Sequence, residues 1–165
     1  MVALTGEELR AWVESTTDGW KGFFSTHPEA LSFSCDVRET KTIAELLRHI
    51  VAVELLFAEH LHGLPETPRD AVAANSVAAM YATHEKAMAL LRELDAKDDA
   101  YWESWMDFPS RRAGVIRAPR RTFLVHSLMH SVRHYAQMAT LVRRQGIASE
   151  LHLDYLLMRP KDPVV

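Results

Sequence analysis

His126, His130 and His134 recur at every fourth residue within the apolar run from Phe123 to Val142. An α-helix turns once in about 3.6 residues, so this spacing aligns the three rings on one face, each step roughly 6 Å along the axis. Two imidazoles one turn apart can converge on a single metal ion, an arrangement many helical metal sites use. A third ligand has to come from another segment, and His49 is the leading candidate. Leu46, His49, Val53 and Leu56 form a stripe at helical spacing, which turns His49 toward the core. The inward stripe of the ladder reads Phe123, His126 or Ser127, His130, His134, Gln137 and Leu141. Several inward polar groups opposite an inward histidine are costly to bury without a compensating ligand. A divalent metal ion removes that cost, because each neutral imidazole offers it a lone pair. Three histidines suit Zn²⁺, Ni²⁺, Co²⁺ or Fe²⁺, and they leave a coordination position open for water or substrate.

The elements that position these residues are helical. Thr5-Gly-Glu-Glu8 is a capping-box pattern, and Leu9, Trp12, Val13, Trp20 and Phe23 continue it as a first amphipathic helix to about Ser25. Thr42-Ile-Ala-Glu45 opens a second, carrying His49 and closed by Gly63. Thr67-Pro68 opens a third, running on through Val72, Val77, Met80, Tyr81, Met88, Leu91 and Leu94. Pro119 opens a fourth that bears the ladder and ends at Gly146. Lys97 to Pro119 form a long connection before it, at about twenty residues longer than most loops. Four long amphipathic segments with no strand pattern indicate an all-α, four-helix bundle, with residues 1–165 as a single domain.

Composition narrows the function. The chain has 165 residues, 48% of them hydrophobic, enough for one core. One cysteine, Cys35, excludes an internal disulfide and fits the reducing cytoplasm. Neither a signal peptide nor a membrane-spanning run is legible, so a cytoplasmic protein without a membrane partner is expected. Net charge is −3, yet Phe108 to Ser149 hold eight arginines and no acidic residue. With no recognition motif in that stretch, a nucleic-acid partner is not expected, and a cationic rim around a pocket is the sharper reading. His60 and His62 sit at the second helix's C-terminal end, where the dipole favours them. His27, His84 and His152 are isolated, as surface or capping histidines usually are. Cys35 reads as a packing residue. Trp102 and Trp105, just upstream of the ladder, are the aromatic residues best placed to form a ligand platform.

His49 followed by LMHSVRHYAQMATLVRRQGI, Leu128 to Ile147, resembles the DinB/YfiT-like superfamily of bacterial four-helix-bundle proteins. The family's last-helix pattern is His-x3-His, a Gln three residues on, and an apolar stretch closed by Gly. It falls here on His130, His134, Gln137 and Gly146. The family's early second-helix histidine falls on His49, and the acidic residue about a turn later falls approximately on Glu54. Leu153 to Met158 resemble its closing segment. The resemblance implies an up-down-down-up bundle with His49, His130 and His134 as metal ligands. It makes His126, Gln137 and Glu54 supporting neighbours rather than ligands. Arg133 stands where the family often has a histidine beside the last ligand. The implied cofactors are a divalent metal ion, Zn or Ni foremost, and a low-molecular-weight thiol. The implied activity is thiol S-transfer to a small-molecule substrate, by a homodimer. Arg111, Arg112, Arg117, Arg120 and Arg121 are candidates to bind the carboxylates of such a thiol. Two other readings stand beside it. One is a metal-dependent hydrolase with Glu54 or Gln137 near the ion, and the other is a non-catalytic, stress-associated metal or small-ligand binding protein.

Overall fold

The computed structural model describes residues 4–110, 113–148, 151 and 153–158. Arg111, Arg112 and His152 lie outside the described residues. Helix α1 spans Gly6–Thr26, and its capping box is complete, with Thr5 and Glu8 each capping the other's backbone N–H. Leu9, Val13, Trp20, Phe23 and Phe24 are its buried face. Trp12 lies at the margin, its indole donating to the carbonyl of Leu153. A 3₁₀ turn over Pro28–Ser32 follows, and then a bridge pairs Ser34 with Thr42.

Helix α2 spans Ile43–His62 and is closed by Gly63 at φ 71°, a left-handed conformation that favours glycine. Thr42 accepts from the Glu45 N–H, as expected, but the Glu45 carboxylate reaches back to the N–H of Lys41 instead of Thr42. Helix α3 spans Val77–Glu93 and starts nine residues later than Pro68 suggests. Pro68 opens only a 3₁₀ turn, Arg69–Ala71. The cause is on α2. The Arg48 guanidinium donates to the carbonyls of Arg69, Asp70 and Val72, and the Glu59 carboxylate accepts from both the N–H and the hydroxyl of Thr67. These bonds tie residues 67–72 to α2, and α3 starts only beyond them. Ser76 then supplies the cap, accepting from the Ala79 N–H.

The connection before the last helix corrects the expectation of a strandless chain. It folds into a short helix, α4, Asp99–Glu103, and an antiparallel hairpin of β1, Trp105–Ser110, and β2, Gly114–Pro119. Sequence periodicity missed the hairpin because most of its side chains are exposed. Phe108 is the one buried residue of the two strands, stacked on Phe57 and Phe123 at 4.6 and 5.5 Å between ring centres. That contact pins the hairpin to the bundle. Helix α5 spans Arg120–Arg144 and a last turn, α6, covers Tyr155–Met158.

The fold is mainly helical. Helix α2 packs on α3 and α5, and α1 packs on the same two helices from the other side. Buried apolar residues form two clusters, one around Trp20, Ile50 and Tyr135 and the other around Val13, Leu61 and Met88. The α2–α5 contact carries the histidines. Among the described residues, no helix is long and apolar enough to cross a membrane.

Candidate metal centre

His49 comes from α2, and His130 and His134 from adjacent turns of α5; all three are buried. Each offers a ring nitrogen, and the three nitrogens lie within 4.8 Å of one another. His130 Nε2 and His134 Nε2 are 3.1 Å apart. Two nitrogens each about 2.0–2.1 Å from a tetrahedral ion sit about 3.3 Å apart, so this pair is spaced for chelation. The His49 ring centre is 5.0 Å from that of His130 and 5.1 Å from that of His134.

A hydrogen bond fixes the proton of His134. His134 Nδ1 donates to the Gln137 Oε1 at 2.7 Å, which leaves the Nε2 lone pair directed into the cluster. His49 Nε2 and His130 Nδ1 are buried without a hydrogen-bond partner. An orphaned polar atom in a protein interior is costly, and two of them in one three-histidine cluster fit a site built for a cation. Burial lowers the pKa of all three. His49 falls to about 4, helped by the charges of His134, Arg69, Arg38 and Arg133. His130 falls to about 2, with neighbouring imidazoles adding to burial. His134 falls to about 4, where burial and the nearby arginines outweigh the bond to Gln137. The rings are therefore neutral at neutral pH, and each has one nitrogen lone pair.

The supporting residues divide. Gln137 stands as the resemblance implies, against His134. His126 is exposed, 6.1 Å from the His130 ring and packed edge-on to Phe57. Glu54 belongs to a different network. Its carboxylate accepts from His84 Nδ1 and from the Ser131 hydroxyl, both at 2.7 Å, and is fully buried. This also corrects His84, which is a buried ion-pair partner and not a surface residue. His60 and His62 bond the carbonyls of Asp107 and Leu90, tying α2 to the hairpin and to α3.

The arginines near the cluster are not those expected. Arg117 faces Asp107 across the hairpin, Arg121 pairs with Glu103, and Arg120 lies over the Tyr101 ring while donating to the Leu61 carbonyl. Arg38, Arg69 and Arg133 are the ones whose charges act on the histidines. Arg69 and Arg133 touch them, at 3.3 Å from His49 Nδ1 and 3.4 Å from His134 Nε2. Arg133 carried a signal, adjacency to the last ladder residue. Arg38 and Arg69 carried none, because both sit in loops far from α5 in sequence. Trp105 is exposed, and Trp102 lines a depression between the start of α1, α4 and α5 that contains none of the histidines.

With this geometry in hand, comparison with known proteins gives a consistent result. No functionally curated protein matches the chain. Its fold is similar to the crystal structure of a DinB-like protein from Bacillus cereus ATCC 10987, with a TM-score of 0.58 over 84% of this chain and 88% of that one. The two sequences are 21% identical, a level that speaks for the fold alone. The model of the DinB family matches residues 6–160, which takes in the helices, the hairpin and all three clustered histidines, and on that match the chain belongs to the DinB family.

Proposed function

We propose that His49, His130 and His134 hold a divalent metal ion, Zn²⁺ or Ni²⁺ foremost, and that the loaded protein activates a low-molecular-weight thiol for S-transfer. The observation that carries this reading is a buried cluster of three neutral imidazoles with no fourth protein ligand beside it among the described residues. A bound ion there supplies Lewis acidity, lowering the pKa of a thiol that takes its open position. The chain's own residues do the rest. Burial keeps the imidazoles unprotonated, Gln137 holds the His134 ring in one tautomer, and the Arg38, Arg69 and Arg133 charges favour a thiolate over a thiol. Metal-dependent hydrolysis is the weaker reading, because Glu54, its candidate base, is occupied by His84 and Ser131.

The test is turnover of an electrophile such as chlorodinitrobenzene with a panel of small thiols, using protein loaded with Zn²⁺ or Ni²⁺. Turnover should require metal and stop on chelation. Absence of metal-dependent turnover with every thiol refutes the S-transfer reading, and metal-dependent ester cleavage without thiol replaces it with hydrolysis.

A further inference from the structure

A cavity of about 380 Å³ opens beside the cluster, and His49 is the histidine that lines it. Arg38 and Arg69 line it as well, from two different loops. Each loop is held in place. Arg69 sits in the 3₁₀ turn whose carbonyls are gathered by Arg48, next to Thr67, which Glu59 anchors. Arg38 sits in the turn between Ser34 and Thr42, where Arg38 and Glu39 have φ of 55° and 69°. Two successive non-glycine residues in the left-handed region are uncommon, and such strain persists only where the surroundings impose it. Here the Thr40 N–H and hydroxyl both bond the Val37 carbonyl, and the Cys35 N–H bonds the Lys41 carbonyl.

The Arg69 contact also bears on metal loading. A guanidinium only donates, so its bond to His49 Nδ1 needs a lone pair there and puts the His49 proton on the orphaned Nε2. Were Nε2 to hold the ion, that proton would sit on Nδ1, and Arg69, with nothing to donate to at His49, would be available to an anion in the cavity. Glu39, which has a polar partner of its own, and the exposed Glu66 line the same cavity, so its fixed charges are balanced. A single carboxylate suits that balance better than a polyphosphate does.

We infer that the cavity is a specificity site: the ligand entering the metal's open position carries a carboxylate, which Arg38 and Arg69 bind. This rests on the metal and thiol reading above. Arginine forks match carboxylates with two parallel hydrogen bonds, which gives selectivity for the anionic member of a matched pair.

The experiment uses Co²⁺-loaded protein, in which thiol binding is read from the thiolate-to-cobalt absorption band. Mercaptopropionate and mercaptopropanol differ only in the terminal group, and succinate, followed by calorimetry, supplies carboxylates without a thiol. Mercaptopropionate should bind about tenfold or more tightly than mercaptopropanol. Arg38→Gln and Arg69→Gln should each remove most of that preference, weakening mercaptopropionate much more than mercaptopropanol. Both side chains are exposed, so the variants should fold, which melting curves check. Equal affinity of the two thiols for the wild type, or variants that lose both thiols alike, overturns the inference and leaves the thiol reading intact. Arg69-dependent succinate binding without any thiol band upholds the carboxylate site and overturns the thiol reading. No binding of any probe overturns both.

Discussion

Lowering the pH from 7 to about 5.5 separates this site from an ordinary exposed cluster of histidines. Protons compete with a metal for each imidazole, and the free side chain has a pKa of about 6.5. Three independent histidines at that value lose about 600-fold in apparent metal affinity over this interval. In the structure His49 and His134 lie at about 4 and His130 at about 2, because burial and neighbouring positive charge disfavour the imidazolium. The same interval then costs less than about twofold, since few of the rings bind a proton at either pH. Affinity should fall only as the pH approaches the folded values, near 4. Calorimetric titration of metal-free protein with Zn²⁺ at a series of pH values measures this, with His130→Ala and His126→Ala in parallel. His130→Ala should abolish stoichiometric binding and His126→Ala should retain it. A loss of several hundred-fold by about pH 5.5 would refute the reasoning about burial, and stoichiometric metal in His130→Ala would refute the assignment of the cluster.

Two further substitutions test the surroundings. Gln137→Leu removes the acceptor that holds His134 and should weaken metal binding about 10–100-fold, with recovery in Gln137→Glu. Gln137 is exposed, so the melting temperature of the metal-free variant should stay near wild type, and an unchanged affinity would show that His134 needs no support. Glu54→Leu breaks a fully buried pair and should cost about 3–5 kcal/mol, a fall in Tm of about 6–20 °C for a domain of this size. Burial alone would lower the His84 pKa, but the charge and hydrogen bond of Glu54 outweigh it and raise the folded value. The pair therefore contributes fully below the unfolded value of about 6.5 and loses its contribution as the pH rises through the raised one. The cost of Glu54→Leu should accordingly be larger at pH 6 than in mild alkali, and denaturant titrations at both pH values decide it.

Local chemistry was legible in the sequence. The capping residues Thr5, Thr42 and Pro119 and the stop at Gly63 locate three of the four long helices to within a residue or two, because caps act on groups three or four residues away. The i, i+4 spacing placed His130 and His134 on one face, and the stripe through Leu46 and Val53 turned His49 inward. What tertiary structure decided was partnership between segments distant in sequence. Glu54 went to His84 and Ser131 because α3 and α5 place those side chains against it, a choice no spacing within α2 encodes. Arg48 and Glu59 delayed α3 by capturing the chain after Gly63. One buried phenylalanine, with the His60 bond to the Asp107 carbonyl, anchors a mostly exposed hairpin that leaves no alternating apolar pattern. The arginines that line the cavity beside the cluster, Arg38 and Arg69, came from two loops, with Glu39 and Glu66 balancing them, while Arg117, Arg120 and Arg121 of the arginine-rich stretch found other partners. Helix periodicity is a property of neighbours along the chain, so it reveals which face a residue occupies. Which side chain meets it there depends on how the helices and loops pack, and that is settled only in three dimensions.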